Sequence, residues 1–188
     1  TERGVKIFIA RGNRDFMIGE AFADACGATL LNEQTLIDLG GQRTLLMHGD
    51  ELCTDDVRYQ RARRILRKDF FRWIGNALPR AWRHSIAARI RRESRAHKAA
   101  TAMSIMDANA DAIDAAMSAQ NANRLIHGHT HRPAHDLRAN GNERWVLSDW
   151  QQDFGYLVWD GDRFAVQPWP RTENNTAVSG YNPKTLGG

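Results

Sequence analysis

Short apolar runs separated by turn residues fill the first fifty positions. Val5 to Ala10, Ala28 to Leu31, Thr35 to Leu39 and Arg43 to Met47 each have the length and content of a strand. Glu20 to Cys26 has helical content and stops at Gly27, and Gly40-Gly41 is a hairpin signal between two of the strands. From Asp55 the period lengthens. Asp55 or Asp56 is placed to cap a helix over Tyr59 to Ile74, Gly75-Asn76 breaks it, and Pro79 suits the first turn of the next. The Ala-rich stretch Asp107 to Ala119 predicts another helix. Strands then return at Arg124 to Ile126, Glu143 to Leu147, Tyr156 to Trp159 and Phe164 to Pro168, with turns at Asn140-Gly141-Asn142 and Asp160-Gly161-Asp162. The polar residues 170–188 carry no pattern and are expected to be disordered. The whole predicts an α/β core over 1–55 and 123–169, interrupted by a helical insertion over 56–122 that resembles a cap over a site.

Composition narrows the class. Over 188 residues, 42% hydrophobic and 26% charged content is that of a globular chain, not a disordered one. No run of eighteen apolar residues occurs, and the N-terminus lacks a signal-peptide pattern, so neither a membrane span nor export is expected. Cys26 and Cys53 form no CxxC pair and are expected to be free thiols. The net charge of +4 is unevenly spread: between Asp56 and Lys98 fourteen Arg and Lys residues face only Asp56, Asp69 and Glu93. They alternate with Ile65, Phe70, Trp73, Ile74, Trp82, Ile86 and Ile90, the mixture of a basic amphipathic helix pair suited to an anionic lipid surface or to nucleic-acid phosphates.

The candidate chemistry sits where predicted strands end. Gly12-Asn13-Arg14-Asp15, His48-Gly49-Asp50 and His127-Gly128-His129-Thr130-His131 each follow an apolar run, and strand ends are where α/β enzymes keep their sites. Amide oxygen and imidazole nitrogen are donors for a borderline divalent metal. A single His at a strand end is as readily a packed side chain; the convergence of three segments is what points to a metal. His127 precedes the Gly and is expected to support the strand, and His84, His97 and His135 lack ligand spacing and are expected to be structural. For Asp149, a turn role and a site role are equally supported.

These motifs resemble the calcineurin-like metallophosphoesterases, marked by Gly-Asn-x-Asp/Glu, a lone His before Gly, and Gly-His-x-His. Further segments narrow the resemblance: Leu52-Cys53-Thr54-Asp55-Asp56 after His48-Gly49-Asp50-Glu51, Ile86-Ala87-Ala88-Arg89, Ile105-Met106-Asp107, and Ile126 to Pro133. With them the chain resembles the UDP-2,3-diacylglucosamine pyrophosphatases of lipid A biosynthesis in Gram-negative bacteria, from about Gly4 to Trp169. The resemblance implies a metallophosphoesterase β-sandwich flanked by helices, with the inserted cap receiving acyl chains. It implies hydrolysis of UDP-2,3-diacylglucosamine to 2,3-diacylglucosamine 1-phosphate (lipid X) and UMP by metal-activated water, with two Mn²⁺ in the complete enzyme. Asn13, His48 and His129 would bind one metal and His131 the other. Arg14 and His129 would be catalytic, Arg14 as a fixed cation against the pyrophosphate. Substrate contacts would come from Asn13, Arg14, Asp56, Ser94, Lys98, Thr101 and His129, although Lys98 replaces an Asn and Thr101 a Lys in that pattern.

The family's Asp-x-His and Gly-Asp motifs do not occur upstream of Asn13. The expectation is a C-terminal part of such an enzyme, lacking some metal ligands and inactive alone. Work at the cytoplasmic face of the inner membrane is implied, with UDP-2,3-diacylglucosamine and anionic lipid as partners. No obligate protein partner is inferred and nucleic acid is not expected. The rivals are a metallophosphoesterase acting on another phosphodiester or nucleotide, and an inactive basic fragment that binds lipid or nucleic acid.

Overall fold

The computed structural model describes residues 4–13, 15, 18–67, 78–79, 82, 85–86, 88–89, 92, 107–149 and 155–168. The chain divides into two compact units, Thr1–Leu30 with Asp50–Ala112, and Leu31–Gly49 with Ile113–Gly188.

In the first unit, β1 (Ile7–Ile9) pairs in parallel with β2 (Ala28–Leu30), joined through α1 (Glu20–Ala25). Gly27, at φ +63°, follows the helix end in the left-handed conformation that a Cβ would penalise, so the predicted stop at this glycine holds. A short 3₁₀ turn, Asp50–Leu52, precedes α2 (Val57–Leu66). Asp56 is the cap: its carboxylate accepts the Tyr59 amide at 2.9 Å. Cys53 is buried and Cys26 exposed, and both are free thiols as expected.

The second unit holds a five-stranded mixed sheet in the order β3-β4-β5-β7-β6. β3 (Gln34–Leu39) and β4 (Gln42–Met47) form the predicted hairpin, with Gly40 and Gly41 at φ +64° and +77°, the two left-handed positions that a two-residue turn demands. β5 (Arg124–His127) runs parallel between β4 and β7 (Glu143–Val146), and all four of its residues are buried. Successive residues point to opposite faces, so a strand buried throughout is covered on both faces and loses the in-out alternation, which is why Leu125 and Ile126 read as a continuous apolar run. α3 (Ala110–Ala119), whose first three residues fall in the first unit, begins three residues later than predicted, because Asn109 rather than Asp107 accepts the first free amides, those of Asp111 and Ala112. Leu45, Met47, Ile113, Met117, Leu125, Ile126 and Val146 make the apolar core of this unit.

β6 (Ala134–Leu137), antiparallel to β7, has no counterpart in the sequence reading. Ala-His-Asp-Leu carries no strand pattern of its own; its order comes from ladder bonds to β7 and from Arg144 of β7, which donates to Asp136 at 3.0 Å. β8 (Gly155–Trp159) and β9 (Phe164–Pro168) form a hairpin whose turn Asp160 closes by accepting the Asp162 and Arg163 amides. Residues 68–74 of the predicted first basic helix, its Gly75-Asn76 break and the tail from 170 lie outside the described residues.

Candidate metal and phosphate site

Two of the predicted ligands meet. His48 directly follows β4, and His129 lies two residues past β5, so both stand at the carboxyl ends of adjacent parallel strands. The ladder continues one step beyond the strands, with the Gly128 amide donating to the His48 carbonyl at 3.0 Å. There His129 Nδ1 lies 3.3 Å from His48 Nε2, with the rings edge to face at 70°. Two imidazole nitrogens bound about 2.1 Å from one ion, at an angle between octahedral and tetrahedral, stand roughly 3.0–3.4 Å apart. The donor pair therefore fits a divalent metal in type and spacing. It is a partial shell: among the described residues, no three His, Cys, Asp or Glu side chains group to hold an ion.

The backbone that presents His129 is strained. The Thr130 amide donates to the Gly128 carbonyl at 2.8 Å across His129, whose φ is +67°. That is a γ-turn of the positive-φ sense, rare and unfavourable, and a non-glycine residue in it costs about 1–3 kcal/mol. His131 is also left-handed, at φ +56°, and its Nδ1 lies 3.1 Å from the Asp149 carboxylate. Asp149 is reached because the Leu147 amide donates to the His127 carbonyl at 2.7 Å, extending β7 beside the histidine turn. Between the two strained histidines, the buried Thr130 hydroxyl has no hydrogen-bond partner among the described residues.

In the first unit, the residues after His48-Gly49 make a buried ionic cluster. Asp50 is 1% exposed, and its Oδ2 accepts from the Tyr59 hydroxyl at 2.7 Å, Arg63 Nε at 3.0 Å and Arg67 at 2.9 Å. Arg63 also pairs with Glu51 at 2.8 Å. Burial, and then the Asp50 charge, push the Tyr59 phenol far above its ordinary value. Burial likewise pushes the Cys53 thiol up to about 12, with Asp50 adding to it, which makes this a poor nucleophile.

No protein-family model matches the chain. Curated relatives do. It is 43% identical over 171 residues to a UDP-2,3-diacylglucosamine hydrolase of Pseudomonas putida (strain W619), covering 89% of this chain and 71% of that protein. The chain belongs to the UDP-2,3-diacylglucosamine hydrolase family. Relatives of the same name from Nitrosococcus oceani (47% over 152 residues, 79% of this chain and 61% of that protein) and Neisseria meningitidis serogroup C (45% over 169 residues, 89% and 70%) agree.

Of the residues that the family resemblance singled out, His48, His129 and His131 lie in the second unit as described. Asn13 lies in the first unit just past β1, half-buried, in a turn where Asp15 accepts the Gly12 amide. Asp56 is there too, 7% exposed, with one carboxylate oxygen engaged as the helix cap. Arg14, Ser94, Lys98 and Thr101 lie outside the described residues. His127, expected to be structural, is fully buried.

Two features were not anticipated. The cationic stretch is not uniformly solvated: Arg63 and Arg67 turn inward to Asp50, whereas Arg58, Arg61 and Arg64 are exposed. The spacing Tyr59, Arg63, Arg67, four apart on one helix face, was the available signal. The His131–Asp149 pair had none, because the two residues come from separate strand ends.

Proposed function

We propose that this chain acts as its relatives are named, hydrolysing the pyrophosphate bond of UDP-2,3-diacylglucosamine to 2,3-diacylglucosamine 1-phosphate and UMP. The observation that carries the reading is the His48–His129 pair at adjacent parallel strand ends, in a chain of this family. His48 and His129 would hold one divalent metal, taken as Mn²⁺ for its fit to imidazole donors. His131, backed by Asp149, would serve a second. When bound, such a metal polarises a phosphoryl oxygen and lowers the pKa of water. On the sequence motif alone, Asn13 is a further ligand and Arg14 the fixed cation that steadies the pyrophosphate. Asp56, Ser94, Lys98 and Thr101 are assigned to substrate contact on the same ground.

The fold is read as a metallophosphoesterase sandwich with a helical insertion over 56–122. Work at the cytoplasmic face of the inner membrane follows from the lipid substrate and the exposed Arg58, Arg61 and Arg64. Among the described residues, no helix is long and apolar enough to cross a membrane.

The test is UMP release from UDP-2,3-diacylglucosamine with Mn²⁺ by the protein expressed from its own gene. UMP is expected, and His129→Ala or Arg14→Ala should lower kcat/KM by at least about 100-fold. Cleavage confined to water-soluble phosphodiesters would overturn the lipid substrate while leaving a metallophosphoesterase.

A further inference from the structure

The buried His127 is one residue from the Gly128 peptide and two from His129, yet it is no ligand. Its Nε2 faces Arg144 Nε at 3.0 Å, and its Nδ1 faces the Gly128 carbonyl at 2.9 Å. A guanidinium only donates, so Nε2 must be the acceptor and Nδ1 must carry the hydrogen that it donates to Gly128. Arg144 is itself held by Asp136, to which it donates at 3.0 Å. The chain Asp136, Arg144, His127, Gly128 thus runs from the sheet edge to the strained turn, fixing one tautomer on the way.

Gly128 is held on both sides: its N–H, in the 127–128 peptide, donates to the His48 carbonyl, and its oxygen, in the 128–129 peptide, accepts from both His127 and the Thr130 amide. The 128–129 peptide plane borders φ of His129, the left-handed torsion that aims the ring at His48. The same imidazole crowds the other ligand loop: a Cβ on Gly49, next to His48, would lie 2.6 Å from His127 Nδ1.

We infer that His127 and Arg144 are positioning residues for metal binding, a buried pair that fixes the separation of His48 and His129. The inference rests on the metal reading above. In metal sites, hydrogen bonds behind the ligands set their orientation, and losing one typically weakens affinity about 10–100-fold.

The experiment titrates Mn²⁺ by calorimetry into the unaltered protein and into His127→Leu, His127→Asn and Arg144→Leu, with circular dichroism to establish folding. Arg144→Leu and His127→Leu should weaken binding about 10–100-fold. His127→Asn, which keeps an N–H donor near Gly128, should recover most of it. Long-range proton–nitrogen spectra of the metal-free protein should show His127 as the Nδ1–H tautomer, and Arg144→Leu should move the His129 ring signals. Folded variants that bind Mn²⁺ like the unaltered protein would overturn the positioning role. If Arg144→Leu does not fold, Asp136→Asn frees the guanidinium in its place, and unchanged affinity there counts equally against the idea. Failure of the unaltered protein to bind Mn²⁺ would overturn the metal reading, and the positioning of His129 would then stand or fall on the ring signals alone.

Discussion

Replacing Asp50 by Asn removes one charge from the most buried carboxylate among the described residues of the first unit while keeping its shape. Oδ2 accepts three bonds, two from guanidinium groups, and charged hydrogen bonds contribute about 1.5–3 kcal/mol each. Asn retains a carbonyl acceptor, so the loss is the charge-assisted part of the bonds to Arg63 and Arg67, and Arg63 keeps its pair with Glu51. Breaking a buried pair from one side costs about 3–5 kcal/mol. The Arg63 and Arg67 side chains are 12% and 13% exposed and can turn partly to water, which favours the lower end, about 3 kcal/mol. Urea unfolding of Asp50→Asn, Arg67→Met and the double variant would give the coupling directly. A double variant less destabilised than the sum of the singles, by about 1–2 kcal/mol, is expected. Spectrophotometric titration adds an independent readout, since removing the Asp50 charge should let the Tyr59 phenol ionise at lower pH than in the unaltered protein. A single-variant cost under about 0.5 kcal/mol, the size of an ordinary surface change, would refute the cluster as a stabilising unit.

Thiol counting at pH 8 should find one reactive cysteine, Cys26, and a second only in denaturant, because Cys53 is buried with its thiol held up near 12; two fast thiols would contradict this burial. The raised Cys53 value also has a definite sign in stability. The unfolded thiol loses its proton above about 9 while the folded one keeps it, so Cys53→Ala should lessen the loss of stability between pH 9 and 12. At the acid end, burial disfavours the Glu143 charge, but hydrogen bonds from Arg124 and His135 outweigh it and hold the carboxyl below 4.5. Its contribution is present above that value and lost as pH falls through the lower folded one. Glu143→Gln should therefore differ most from the unaltered protein at neutral pH and converge with it in acid; a gap that widened in acid would reverse the sign. Gly49→Ala meets both a φ of +102° and the His127 ring at 2.6 Å, so a cost of about 2–4 kcal/mol is expected by thermal unfolding, and a neutral effect would deny that contact.

Elements whose order is local were legible in the chain. Gly40-Gly41 dictated a two-residue turn, Gly27 a helix stop and Asp55-Asp56 a cap, with Asp56 the one that serves, because each acts through torsions or bonds within four residues. β6 was not, since its order comes from a neighbour brought close by the rest of the sheet. The same division holds at the site. The residue types and strand-end positions of His48 and His129 are a property of the sequence, as is the glycine beside each, and they suffice to suggest a metal. That His48 and His129, 81 positions apart, face each other at 3.3 Å depends on β4 and β5 being parallel neighbours. What packing adds is the different surroundings of His127 and His129. His127 and His129 are the same residue type two apart, but β5 buries the first against Arg144, while a strained turn carries the second out of the strand towards His48.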